Sequence, residues 1–167
     1  VYENSVLAPG AENDYGAVCV DGNNSVLLAD GEVFRCELRM CGDDNRLTIP
    51  AGASAILMGD LWVGYSGSTG SDAEVYLRGE LEVLGDVTVG GGYPTGLITM
   101  DGADAALSVH GDLAVRDSFS GISGGSVIFS GTQQQAVSGL DADNVEIRNP
   151  AGLRYESDLT VRGHYDP

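Results

Sequence analysis

The sequence predicts an all-β fold, a single-domain right-handed parallel β-helix solenoid of about six coils with three short strands in each. Three observations carry this prediction. A Gly-Asp hexapeptide recurs at constant spacing, short segments with alternate apolar residues fall in threes between its copies, and no segment of helical length carries apolar residues at helical spacing without an intervening glycine or proline.

The anchor is Met58-Gly59-Asp60-Leu61-Trp62-Val63. It returns as Leu84-Gly85-Asp86-Val87-Thr88-Val89 and as His110-Gly111-Asp112-Leu113-Ala114-Val115, each copy 26 residues after the one before. From Leu61 the triplets read Leu61-Val63, Val75-Leu77 and Leu81-Val83, then Val87-Val89, Leu97-Thr99 and Leu107-Val109. A third runs Leu113-Val115, Val127-Phe129 and Gln135-Val137, and a fourth Val145-Ile147, Leu153-Tyr155 and Leu159-Val161. Backwards from the anchor lie Leu38-Met40, Leu47-Ile49 and Ala55-Leu57, preceded by Val18-Val20, Val26-Leu28 and Val33-Arg35. Coils therefore start at 18, 38, 61, 87, 113 and 145, with insertions confined to turns. A strand of three to five residues cannot bury an apolar face alone, but equivalent strands stacked at ~4.8 Å share one continuous core. Residues 1–167 read as one domain, with 1–37 as an N-terminal coil or cap and 38–163 as the regular coils. A β-sandwich is the alternative, because the dipeptides Asp21-Gly22, Asp30-Gly31 and Asp101-Gly102 would suit hairpin turns.

Composition fits short strands and tight turns: 25 of 167 residues are glycine and few are aromatic. The net charge of −17 comes from 25 carboxylates against eight arginines and no lysine. Such a field repels phosphates, anionic membrane surfaces and polyuronates, and is compatible with neutral glycans, calcium, a basic partner or solubility alone. No apolar run approaches the ~20 residues of a membrane helix, so no membrane insertion is expected. Cys19, Cys36 and Cys41 follow no metal-ligand spacing; one disulfide with a leftover thiol and three free thiols both remain open.

Glycine allows the sharp corner, and the aspartate beside it can accept hydrogen bonds from amides that the corner exposes. Stacking would align Glu37, Asp60, Asp86, Asp112 and Asn144 in one ladder. Neighbouring carboxylates ~5 Å apart repel by about 1 kcal/mol even in water, which something must offset. The favoured reading is that each bonds the amides of its own turn and splays outward. A chain of calcium ions held by Asp60, Asp86 and Asp112 is the alternative; no other metal or cofactor is expected.

Chemistry is sparse. Gly121-Ile122-Ser123-Gly124-Gly125 fits the pattern of a nucleophile elbow, but a strand and not a helix is expected after it, so the reading is structural. His110 and His164 have no second histidine nearby and read as exposed, ordinary residues. No catalytic residue is nominated. The best candidate surface is formed by the loops from Gly64 to Asp72, Gly90 to Gly96 and Arg116 to Gly125, which should stack along one edge. Trp62, Tyr65, Tyr93, Arg116, Asp117 and Phe119 are the candidate ligand-binding residues there, since aromatics beside polar groups hold sugar rings or partner side chains. The competing reading is that these aromatics fold back over the sheet edge.

The units Leu61-Trp62-Val63-Gly64-Tyr65-Ser66-Gly67-Ser68-Thr69-Gly70, Gly85-Asp86-Val87-Thr88-Val89-Gly90-Gly91-Gly92, and Gly131 to Gly139 followed by Asn144 to Asn149, resemble the β-helical repeats of autotransporter passengers and adhesin-like surface proteins of Gram-negative bacteria. The resemblance covers roughly residues 55 to 163 and implies a noncatalytic secreted or cell-surface module, structural or adhesive, with a glycan or surface protein as partner. A carbohydrate-active enzyme of the polysaccharide lyase or hydrolase kind, or a fragment of one, is the alternative on the same scaffold; the absence of lysine and the small size weigh against it. A bactofilin-like filament is a third reading. Only six residues follow Val161, too few for a helix to cover the last coil, so a flanking domain or self-association at the solenoid ends is expected.

Overall fold

A computed structural model describes residues 17–20, 25–41, 44–65, 72–91, 95–117 and 120–167. Among them are 21 short strands and no helix, wound three to a turn. The first turns are β1 (Ala17–Val20), β2 (Ser25–Leu27) and β3 (Val33–Phe34), then β4 (Glu37–Met40), β5 (Arg46–Ile49) and β6 (Ser54–Leu57). The middle turns are β7 (Leu61–Val63), β8 (Ala73–Leu77) and β9 (Glu80–Val83), then β10 (Val87–Val89), β11 (Gly96–Met100) and β12 (Ala106–Val109). After these come β13 (Leu113–Val115), β14 (Gly121–Ser123) and β15 (Ser126–Phe129), then β16 (Gln135–Ser138), β17 (Asp141–Ala142) and β18 (Asn144–Ile147). The chain closes with β19 (Leu153–Tyr155), β20 (Thr160–Val161) and β21 (Tyr165–Asp166).

Equivalent strands pair in parallel. Sheet A is β1-β4-β7-β10-β13-β16-β19, sheet B is β2-β5-β8-β11-β14, and sheet C is β3-β6-β9-β12-β15-β18-β21. The pair β17-β20 continues the position of sheet B, with β17 packed against β14. The seven stacked strands of sheet A, from β1 to β19, are separated by six turns, so the result is a β-solenoid of about six turns, as the sequence predicts.

The core consists of columns, one side chain per turn. Leu38, Leu61, Val87, Leu113 and Val137 are register partners in sheet A. Val26, Leu47, Val75, Ile98 and Ile122 form the column of sheet B, and Leu81, Leu107, Val127 and Val145 one column of sheet C. Nearly all are fully buried. Burying a Val or Leu side chain contributes about 1.5–3 kcal/mol, and each residue of a column packs on the one before and the one after, which is what lets such short strands persist.

Register differs from the sequence reading in three places. In β11 the inward residue is Ile98, while Leu97 and Thr99 face outward. The run Leu97-Ile98 hides the alternation; what fixes the phase is Gly96, where a Cβ would lie 2.1 Å from the Val63 carbonyl oxygen. In β3 it is Phe34 that packs on the core, and Val33 is 42 % exposed. Beyond Val115 the predicted coil boundaries shift: Val127 to Phe129 is the third strand of its turn, and Gln135 opens a new turn, so that 113 pairs with 137 and 137 with 155. The strands overlooked are three: the two-residue β17 and β21, and β14, whose single inward residue Ile122 sits between a glycine and a serine. This last strand is also the segment carrying the nucleophile-elbow pattern, and β15 follows it with no helix between.

Cys19 and Cys41 form a disulfide and Cys36 is a buried thiol, which settles the cysteine alternatives among these residues. The bond joins β1 to the residue just after β4, 22 positions on, and so clasps one turn onto the next. Burial pushes the Cys36 thiol pKa above its usual value.

At the other end β19, β20 and β21 occupy the edges of their sheets. Tyr155 and Tyr165 fall in the inward columns below Val137 and Val145, 48 % and 42 % exposed, and their hydroxyls meet at 3.1 Å.

Candidate functional site: the outer face of sheet A

The Gly-Asp corner shapes one rim of this face. Asp60 Oδ1 accepts the amide of Asp86 at 2.9 Å, Asp86 Oδ1 that of Asp112 at 2.8 Å, and Asp112 Oδ1 that of Ala136 at 2.7 Å. Each carboxylate thus bonds the next turn, not its own, and the motif is a staple between turns. The preceding glycine is required because the staple passes over it: a Cβ at Gly85 would lie 2.2 Å from Asp60 Oδ1, and one at Gly111 2.2 Å from Asp86 Oδ1. A bond from a backbone N–H to a charged acceptor contributes about 1.5–3 kcal/mol, enough to outweigh the repulsion between successive aspartates.

The staple ladder ends at Ala136. Asn144, expected to continue it, lies in sheet C opposite Ser126, where its Oδ1 accepts the His164 amide at 2.9 Å. The corner above Ala136 is instead held by buried Gln135, which donates to the carbonyls of Val109 (2.9 Å) and Gly111 (2.5 Å) and accepts from the Gly131 amide (3.1 Å) and Asn149 Nδ2 (2.8 Å). All this capacity is satisfied, as a buried amide requires.

The outward positions of sheet A form a row, one residue per turn: Arg39, Trp62, Thr88, Ala114, Ser138. Around its large members is a compact cluster. The Trp62 and Tyr65 rings meet edge to face, centroids 5.3 Å apart at 84°. The Arg39 guanidinium lies 4.4 Å from the Tyr65 centroid, and that of Arg116 5.5 Å from Trp62. Arg39 is also held by Glu37 through Nε–Oε1 at 2.7 Å and Nη2–Oε2 at 3.2 Å, and this pairing raises its pKa. Arg116 enters no salt bridge among the described residues; the Trp62 ring is its partner. Two aromatics clamped by two cations form a rigid, amphipathic surface whose polar edges remain partly exposed.

Of the six candidate residues the structure thus brings together Trp62, Tyr65 and Arg116. Asp117 has another position: its Oδ2 accepts the Gly91 amide (2.9 Å) and the Ser120 hydroxyl (2.9 Å), and its Oδ1 the Ser120 amide (2.8 Å), so that it ties the Gly90-Gly91 corner to the next turn. Tyr93 and Phe119 lie outside the described residues. Arg39 was not among the candidates, although it occupies the Trp62 position of the preceding turn, and turn-to-turn equivalence would have found it.

Beyond Trp62 the row descends into a shallow groove of about 160 Å³. Thr88, Ala114 and Ser138 line its floor, with Asp86 and Asp112 along one flank, Arg116 on the other and Glu156, paired with Arg154, at the far end. Thr88 is only 5 % exposed, so the floor there lies below the surrounding side chains.

Two other polar clusters engage partners of their own. On sheet B, Arg46 stacks on Tyr76 at 4.2 Å, but Tyr76 donates to Asp101 (2.5 Å) and Arg46 pairs with Glu74 (3.3 Å). His110 Nε2 is 2.7 Å from Glu82 Oε1. Among the described residues no group of three or more His, Cys, Asp or Glu side chains is placed to hold a metal ion. Nor is there, among the described residues, a helix long and apolar enough to cross a membrane.

No protein family, curated protein or solved structure matches the chain. The likeness to bacterial surface repeats therefore rests on the residue pattern quoted above.

Proposed function

We propose that the chain is a noncatalytic β-helix module of a secreted or cell-surface protein, structural and adhesive in role, which engages a glycan or a surface protein through the outer face of sheet A. The observation that carries the reading is the Arg39–Tyr65–Trp62–Arg116 cluster, which sets aromatic surface and an arginine with no carboxylate partner among the described residues beside an open groove. The Cys19–Cys41 disulfide supports export, since disulfides persist in oxidising compartments and are rare in reducing ones. The resemblance to autotransporter passengers and adhesins of Gram-negative bacteria points the same way. The edges of β19, β20 and β21 present backbone groups that suit a further coil from a flanking domain or a second copy. A net charge of −17 disfavours nucleic acid.

The test is a binding screen of the whole chain against arrayed glycans and extracellular-matrix proteins, with Trp62→Ala and Arg116→Ala run in parallel. Saturable binding that both substitutions weaken at least about tenfold supports the reading. Binding that neither substitution affects, or turnover of any polysaccharide by the isolated chain, overturns it.

A further inference from the structure

Resting on that reading, we propose that the ligand is an uncharged glycan chain lying parallel to the solenoid axis, along the row Trp62, Thr88, Ala114, Ser138. Successive members of this row are register partners in adjacent turns, so the path is straight and spans three inter-turn steps, about 14 Å at the ordinary strand spacing. Nothing bulky interrupts it, because the floor beyond Trp62 is threonine, alanine and serine.

The flanks define the chemistry. Asp86 and Asp112 each commit Oδ1 to the amide of the next turn, which fixes the carboxylate and leaves Oδ2 without a hydrogen bond among the described residues. Arg116 faces them, its guanidinium positioned by the Trp62 ring and in no ion pair among the described residues. A groove with fixed acceptors on one side, a fixed donor on the other and hydroxyls in its floor suits a ligand whose groups both donate and accept, which is the property of sugar hydroxyls. The same arrangement excludes polyuronates, which meet Asp86, Asp112 and Glu156 within a field of −17; a polycation is drawn by that field and is the competitor that the neutral chains must outbind. At one end the groove meets Arg116, whose guanidinium lies 5.5 Å from the Trp62 ring.

Calorimetric titration of the intact chain with cellohexaose, mannohexaose, xylohexaose and chitohexaose, beside hexagalacturonate and hexalysine, tests this. At least one neutral hexamer is expected to bind, more tightly than its dimer by about tenfold because the dimer spans only part of the row. Ala114→Tyr, which fills the floor and leaves Trp62 and Arg116 in place, should weaken that binding at least about tenfold with the melting temperature unchanged. Should Ala114→Tyr fail to fold, Ser138→Tyr blocks the same path one turn further on and decides the matter. Failure of every neutral hexamer to bind, tighter binding of either charged hexamer, or binding indifferent to the filled floor overturns the axial path. A partner lost on Trp62→Ala but retained in Ala114→Tyr would overturn the groove while leaving the adhesive reading intact; a partner indifferent to both would remove both.

Discussion

Gly111→Ala probes the physics of the staple most sharply. A Cβ at this position would stand 2.2 Å from Asp86 Oδ1 and 2.6 Å from both the carbonyl carbon and oxygen of Gly85, whereas comfortable carbon contacts begin near 3.5 Å. The carboxylate can swing away, at the loss of its 2.8 Å bond to the Asp112 amide, roughly 1.5–3 kcal/mol. The Gly85 backbone cannot move without spreading two turns, for which an overpacking cost of about 1–3 kcal/mol applies. The sum is roughly 4 kcal/mol, or a fall in melting temperature of about 8–16 °C for a chain of this size. Asp86→Ala loses the bond but also removes repulsion from Asp60 and Asp112, so it should cost only about 1 kcal/mol. Asp86→Asn keeps an oxygen acceptor and sheds the charge, and should be neutral or slightly stabilising. The double variant Gly111→Ala/Asp86→Ala should cost less than the sum of the two, since both remove the same bond. Urea unfolding followed by the fluorescence of Trp62, the single tryptophan, gives each value. A Gly111→Ala protein within about 0.5 kcal/mol of the parent, or an Asp86→Asn protein as destabilised as Asp86→Ala, would refute the staple.

Three further outcomes follow from the same geometry. Reducing Cys19–Cys41, or replacing both cysteines by serine, should lower stability by about 3 kcal/mol, the loop-closure value for a separation of 22, and hydrogen exchange should rise first in β1. Bonding between Tyr155 and Tyr165 pushes the Tyr155 pKa up to about 12 from an unfolded value of 10; this protonated-form stabilisation is complete below pH 10 and is lost as the pH rises to about 12, so that an alkaline unfolding titration should steepen in that window and flatten in Tyr155→Phe. If the aspartates are staples and not ion ligands, calcium should leave the melting temperature unchanged, and a calcium-dependent rise abolished by Asp86→Asn would restore the ion-chain alternative.

The middle turns were legible because three Gly-Asp anchors at one spacing marked the corner, and inward aliphatics stood at alternate positions on both sides of it. Legibility failed where those marks did. In β14 the sequence Gly-Ile-Ser offers one apolar residue and no alternation, so it resembles a loop. At the next corner the staple is replaced by Gln135, a polar residue pointing inward with every bond satisfied by backbone or by Asn149, and an apolar pattern cannot announce it. The candidate surface was found through its aromatics; its cations were found only in part. Arg116 lay beside them in a loop, but Arg39 is separated from Trp62 by a whole turn, and only the register joins them. Asp117 looked like a ligand group because it is acidic and near an arginine, whereas its bonds to Gly91 and Ser120 depend on a corner whose path no local pattern reveals.

Methyl–methyl nuclear Overhauser contacts among Leu61, Val87 and Leu113 test the turn-by-turn stacking that underlies every step from core to groove. Strong cross-peaks are predicted for Leu61–Val87 and Val87–Leu113, with none for Leu61–Leu113, which lie two turns and about 10 Å apart. A direct Leu61–Leu113 contact, or partners for Val87 from strands running the opposite way, would contradict the parallel register and the face built on it.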